Sequence, residues 1–427
     1  MSGMKRREFL NLTALAAGGA FLTTRLAFAG ASERKSRFVL VIMRGALDGL
    51  AAVPPYADPD YASLRRDVAL HTPGAAGAAL PLNGFFGLHP SLAFLGQCYS
   101  ARELIVLHAV ASPYRERSHF DGQDVLENGA PRARALQTGW LNRALAQLPG
   151  QRPREAGVAL GQNVPLVMRG PAEVTSWSAS KMSALDEETL ARITDLYASD
   201  PLLAVRLADA LAADAMVAAE EPAAMSAGAE RAPEANTAAA RMPAGAPALP
   251  AAQAYGVRYT QIVTAAAGFL RQEQGPRVAV FDTTGWDTHA NEGGAEGQLA
   301  GRLGALDKGL ATLKQELGRA WADTAVLLVT EFGRTAAVNG TRGTDHGTGA
   351  AALLLGGAVA GGRVIADWPG LAARALYQGR DVAPTLDLRS VFKGILAEHL
   401  WVPPRTLEDS VFPDSAAAKP LRGLLRA

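Results

Sequence analysis

The sequence predicts an α/β chain, a three-layer sandwich around a mostly parallel central sheet. Three observations carry this. Short, nearly continuous apolar runs recur along the chain. They alternate with amphipathic helical patterns, and the polar motifs with chemical character sit at the ends of the runs, where open α/β sheets gather their ligands.

The elements follow in chain order. Arg37–Met43 is an apolar run closed by Arg44-Gly45, the pattern of a strand buried on both faces. A helical segment over Leu92–Ser100 leads into a second strand at Leu104–Val110. Ser118–Asn128 and Trp140–Gln147 read as helices, as does Tyr255–Gln272. Val278–Phe281 is a third strand. Ala295–Leu317 then places Leu299, Leu303, Leu306 and Leu310 on one face, as a packed helix requires. Ala325–Val329 and Ala350–Leu355 are further strands, and Ser390–His399 reads as a late surface helix.

Two stretches fall outside this alternation. Arg6-Arg7 precedes a short apolar run from Leu12 to Leu22, and Ala27-Phe28-Ala29 has the small-x-small form of a cleavage site. Residues 1–29 therefore resemble a twin-arginine signal peptide, which implies a periplasmic or secreted protein. The run is too short and interrupted for a stable membrane span. Residues 30–427 form the α/β domain. Within it, about 204–254 is Ala-rich with interspersed Pro and reads as a mobile insertion.

Composition narrows the function classes. Lys and Arg number 42 against 41 Asp and Glu, so no global field favours nucleic acid or an anionic membrane surface. The single cysteine, Cys98, rules out an internal disulfide and reads as a buried small hydrophobe.

The chemistry lies in a few loops. Asp287 and His289 follow the Val278–Phe281 strand, with Asp282 at its end. Asp345 and His346 precede the Ala350–Leu355 strand among Gly343, Gly347 and Gly349, a density that lets backbone approach an ion or anion closely. Carboxylates and imidazoles suit Zn²⁺, Mn²⁺ or a similar divalent ion. Glu331 directly follows the Ala325–Val329 strand and can join them, while Arg334 offers a planar fork to an oxyanion or a structural ion pair to Glu331. Ser118 and His119 open a helix. Ser118 reads either as an N-cap boxed with Asp121 or as a nucleophile with His119 as ligand or base, Arg115 and Arg117 adding to the pull on an anion. Arg44 and Asp48 end the first strand, at the site's edge or as a charged pair closing a turn. His108 reads as a satisfied core histidine, His89 as structural, and His71 and His399 have no supporting context.

Taken in order, Arg44-Gly-x-x-Asp48-Gly, Ser118-His119-Phe120, Asp287-Thr-His289, Glu331-Phe-Gly-Arg-Thr335 and Gly343-Thr-Asp-His-Gly-x-Gly349 resemble the family numbered 1501 among domains of unknown function. That family, a group of exported bacterial proteins, looks distantly like the alkaline phosphatase and sulfatase superfamily. The resemblance implies an alkaline-phosphatase-like fold and metal-dependent hydrolysis of small anionic phosphate or sulfate esters. Asp287, His289 and His346 would match the first metal's ligands, and Ser118 the nucleophile. Arg44 stands where the superfamily has an acidic residue, and Phe332 where it has the second metal's histidine, so one ion is expected rather than two. The alternative is a non-catalytic binding or assembly protein on the same scaffold, partnered by a second exported protein.

Overall fold

In the computed structural model, residues 36–148, 154–179, 187–197, 200, 203–205, 207–208, 210–211 and 251–426 are described. Residues 1–29, expected to be a signal peptide, lie outside them, as does most of the Ala-rich stretch. The last residues of that stretch, from Ala251, open a helix that runs to Arg271.

The strands are β1 Arg37–Arg44, β2 Leu80–Pro81, β3 Gly87–Leu88, β4 Leu104–Ala111, β5 Arg154–Leu160 and β6 Val174–Trp177. They continue with β7 Val278–Thr284, β8 Thr324–Val329, β9 Ala350–Leu355, β10 Arg363–Ile365 and β11 Leu386–Asp387. Among the described residues, β2 and β3 form a small hairpin and the others a nine-stranded sheet. Its order is β10-β4-β9-β8-β1-β7-β5-β6, with β11 also on β4. β1 lies between β7 and β8, parallel to both, with Ile42 beside Asp282 and Val329.

The sheet is mostly parallel, with one exception that matters. β9 runs antiparallel to β4 and β8. Its first residue, Ala350, pairs with Val110 near the end of β4. The loop before β9 therefore meets the loops after β1, β4, β7 and β8 at one edge. An apolar run carries no direction, so this reversal cannot be read from the residues of β9.

Both faces of the sheet are covered. Along β1, Val39, Val41 and Met43 pack with Leu95, Val263, Leu303 and Leu310, from helices on one side. Phe38, Leu40 and Ile42 pack with Leu126, Trp140, Val391 and Phe392 on the other. This period of two splits one apolar run between two cores, the basis of the three layers. The Gln298–Leu317 helix buries Leu299, Leu303, Leu306, Leu310, Leu313 and Leu317 and stops at Gly318, whose φ of 51° suits glycine. A Cβ at Gly309 would meet the Tyr259 ring at 1.9 Å, so this helix and Ala251–Arg271 cross closely there.

One helix differs from expectation. Leu388–His399 is not a surface helix: Val391, Phe392, Ile395 and Leu396 are buried, and Phe392 stacks on Trp140 at 4.5 Å between centroids. Its apolar positions are numerous enough to face the second core, and burying one such aromatic stabilises by about 1.5–3 kcal/mol. His399 is buried with Nε2 2.8 Å from the Arg37 carbonyl, and His108 with Nε2 3.2 Å from that of Val53. Burial pushes both imidazoles down to about 4, so they are neutral core residues. His89 Nε2 lies 2.9 Å from the Gly294 carbonyl. Cys98 is buried, and desolvation pushes its thiol up to about 12.

Candidate metal centre

Four loops deliver the site. The loop after β4 opens the His119–Asn128 helix, that after β7 carries Asp287 and His289, that after β8 carries Glu331 and Arg334, and His346 precedes β9. His119, Asp287 and His346 each offer a ligand atom within 4.8 Å of the others, a group that can hold a metal ion. His346 Nε2 is 2.9 Å from Nε2 of His119, 3.0 Å from Nε2 of His289 and 3.3 Å from Oδ1 of Asp287. Asp287 is also 3.5 Å from His119 Nε2 and 3.1 Å from His289 Nε2. His289 Nε2 thus lies beside the group, next to His346 and Asp287.

Each imidazole is fixed from behind. His119 Nδ1 is 2.8 Å from Glu331 Oε1, His289 Nδ1 3.1 Å from Asp345 Oδ1, and His346 Nδ1 3.0 Å from the Arg117 carbonyl. Ionised carboxylates and carbonyls only accept, so each Nδ1 donates. In a neutral ring the lone pair then lies on Nε2, and those of His119 and His289 each meet that of His346. Close to an ionised carboxylate they repel one another unless positive charge lies among them. Ligand atoms at about 2.0–2.1 Å from a tetrahedral ion stand about 3.3 Å apart, close to the spacing here. The donor set fits a divalent metal, and the anchored Nδ1 atoms are the outer shell such ligands need.

The charges agree. Burial draws the Asp287 carboxyl upward, but the Arg334 guanidinium bonded to it holds it below the usual carboxylate range. Asp345 is held low by its Asn339 hydrogen bond. His119 is raised, chiefly by its bond to Glu331. His346 is lowered by burial and then by the neighbouring His119 charge.

Glu331 and Asp345 therefore stand behind imidazoles rather than at the point of convergence. Glu331, fully buried, also accepts from the Gly45 amide at 2.8 Å and from Gln123 at 3.2 Å. Arg334 does not stand free for an oxyanion and makes no ion pair with Glu331. It is buried, donating to the carbonyls of Ala46 (2.8 Å), Thr344 (2.8 Å) and Gly45 (2.9 Å) as well as to Asp287. One guanidinium thus pins the loops after β1 and β7 to the one before β9. Arg44 is likewise engaged, with Asp282 at 2.6 Å and Glu127 at 2.8 Å, which keeps Asp282 outside the imidazole group. Asp48 does not reach the site: it caps Gly49–Ala52 through the amides of Leu50 and Ala51 and pairs with Arg65.

The glycines serve backbone packing rather than an ion. A Cβ on Gly343 would stand 2.3 Å from the His289 carbonyl carbon, and one on Gly347 2.4 Å from the Arg334 carbonyl. Ser118 holds the N-cap position of its helix, but its side chain makes no capping bond. It is half-buried beside His119. The Phe332 ring covers the other flank, 5.0 Å from His119 and 5.2 Å from His346 between centroids.

With the geometry in place, comparison with known proteins gives the family. The model described as "Protein of unknown function (DUF1501)" matches residues 106–409. The chain belongs to the DUF1501 family. No curated protein matches this DUF1501 chain. Two solved structures resemble it weakly. Ps i-CgsB aligns with a TM-score of 0.37 at 10% identity, over 90% of this chain and 77% of that one. Ps i-CgsB in complex with k-i-k-neocarrahexaose aligns with a TM-score of 0.34 at 9% identity, over 77% and 68%.

The DUF1501 site also uses residues that motif reading missed. Arg65, fully buried, bonds Asp48 and lies 3.7 Å from Glu292, whose Oε2 accepts from Thr344 Oγ1 at 2.8 Å. Asp381 takes Arg117 Nε at 2.8 Å beneath the site's rim. Little in the local sequence marks these residues, because the contacts with Asp48, Thr344 and Arg117 that place them are long-range. A Glu three residues past His289 was the one available cue.

Proposed function

We propose that this chain is a metal-dependent hydrolase of phosphate or sulfate esters, with His119, Asp287, His289 and His346 holding one divalent ion such as Zn²⁺ or Mn²⁺. One observation carries the reading: the Nε2 atoms of His119 and His289 each stand beside that of His346 and the Asp287 carboxylate, while every Nδ1 is anchored by an acceptor. When bound, such an ion acts as a Lewis acid on an ester oxygen. Glu331 and Asp345 keep the rings of His119 and His289 oriented. Ser118 is the nucleophile in this reading, its hydroxyl left out of helix capping. Phe332, packed on two of the imidazoles, supports one ion over two. Export by the twin-arginine route and an alkaline-phosphatase-like ancestry belong to the same proposal.

A specific observation favours a second reading, a non-catalytic binding or assembly protein working with another exported protein. Arg334, expected to offer its fork to an oxyanion, and Arg44, expected at the site's edge, are both spent inside the fold. The deciding experiment is elemental analysis of mature protein purified without chelators, beside His346→Ala, followed by a screen of phosphate and sulfate esters. Near-stoichiometric metal that is lost in the variant, with metal-dependent turnover, is expected. Bound metal without turnover of any ester selects the second reading, and absence of metal from both proteins overturns the first.

A further inference from the structure

We propose that Arg380, braced with Arg117 on the shared carboxylate of Asp381, is the binding site for the tetrahedral oxyanion of the substrate. This rests on the hydrolase reading of the same centre and names the residues that meet the anion. An ester hydrolase must match negative charge beside its reacting centre, and Arg44 and Arg334 are already committed to protein groups. The rim of the centre supplies the replacement. Arg380 Nη2 donates to the backbone carbonyl of His346 at 2.8 Å, which sets the guanidinium directly against a residue of the imidazole group. Its Nε faces Asp381 Oδ1 at 3.2 Å.

Asp381 is shut off from solvent and holds Arg117 as well, Nη2 to Oδ2 at 2.7 Å. Two guanidinium charges share one carboxylate, so the group keeps a net positive charge. Arg117 is tied further, to Gln378 at 2.6 Å and with its guanidinium 5.9 Å from the centre of the Tyr377 ring. Its carbonyl orients His346. Arg380 is the more open, 42% of its side chain exposed against 18% for Arg117 and 1% for Arg334. Among the described residues its Nη1 has no protein partner, leaving that edge of the fork for an oxyanion. A guanidinium bonded to the His346 carbonyl and set against the Asp381 charge loses part of its freedom before binding, and a planar fork suits phosphate and sulfate oxygens alike.

The test is calorimetric binding of inorganic phosphate, then sulfate, to the Zn²⁺-loaded mature chain, comparing wild type, Arg380→Gln, Arg380→Lys and the exposed control Arg134→Gln. Zinc content and thermal midpoint are measured on each to show that the fold and centre persist. Arg380→Gln should weaken anion binding about tenfold or more, as expected for a charge-assisted hydrogen bond. Arg380→Lys should recover only part of the loss, and Arg134→Gln should match wild type. Equal affinity in Arg380→Gln and wild type overturns the assignment and leaves the hydrolase reading standing. An Arg380-dependent anion site in a protein that turns over no ester keeps the site and overturns that reading. Failure of the loaded wild type to bind either anion overturns the assignment outright.

Discussion

Glu331 accepts the Nδ1 proton of His119 at 2.8 Å from a position closed to solvent, between the Gly45 amide and Gln123. Burial works against its charge, yet these hydrogen bonds, that of His119 first, hold it below the usual carboxylate range. A charge kept at that cost fixes the ring and makes Nε2 a better donor. Glu331→Ala should therefore weaken metal affinity about 10–100-fold although it removes no ligand. Competition against a chromophoric chelator reads this directly. Glu331→Gln, which keeps an acceptor oxygen, should fall between. Wild-type affinity in Glu331→Ala would mean that His119 needs no such support.

Much of this was legible because strands buried on both faces leave long apolar runs. β1, β4, β7, β8 and β9 are all visible in that way. β5 was not seen: Arg154-Glu155-Ala156-Gly157 opens it with charge and small residues, and only Val158–Leu160 looks like a strand. β6, four residues long and part-exposed, left no run to read. The imidazole–carboxylate motifs were legible as ligands because few histidines sit in such loops. Their division of labour was not, since whether Glu331 faces an ion or an imidazole is decided by β8 lying beside β1. The glycine density was visible and its use was not: only the fold shows Gly343 lying against His289.

Ser118 adjoins His119 but leaves its helix uncapped by its side chain. A hydroxyl at an N-cap normally contributes about 0.5–2 kcal/mol by bonding a first-turn amide. Here Ser118→Ala should leave the thermal midpoint nearly unchanged. If the hydroxyl is the nucleophile, the same variant should keep its metal and lose turnover with little rise in KM. Steady-state kinetics on whichever ester the screen returns decides it, and unchanged kcat removes Ser118 from the role.

Gly343 offers a test of the two ligand loops that touches no ligand. Thr344 donates its amide to the Thr288 carbonyl at 3.1 Å, so the 287–289 and 344–346 segments run side by side. A Cβ at Gly343 would press on the His289 backbone at 2.3 Å, with no flexible side chain there to yield. Gly343→Ala should cost about 1–3 kcal/mol of stability, as overpacking does. It should also loosen metal binding by separating His289 from His346. Urea unfolding and metal titration on the same sample test both. A variant with wild-type stability and affinity would show the loops free to part.

Behind those loops, Asp48, Arg65 and Glu292 are buried together, and Arg65 Nε and Nη1, Glu292 Oε1 and Thr288 Oγ1 there lack hydrogen-bond partners. Two carboxylates share one guanidinium. Burial opposes the charge on Asp48, but Arg65 holds its carboxyl low. Glu292 is pushed up to about 8, by burial first and then by the charge on Asp48. The folded chain thus keeps this proton to about pH 8, whereas the unfolded chain releases it in the ordinary carboxylate range. Between those limits the folded state binds more protons, so the contribution of Glu292 to stability falls as pH rises and is gone above about pH 8. Glu292→Gln imitates the protonated form, keeps an acceptor for Thr344 and has no proton to lose. Its stability relative to wild type should therefore grow from about pH 5 to 8 and then level off. Urea midpoints at pH 5.5, 7 and 8.5 would follow the difference. Parallel profiles for the two proteins would show that Glu292 is already ionised in the fold, with Arg65 shared between two charged carboxylates.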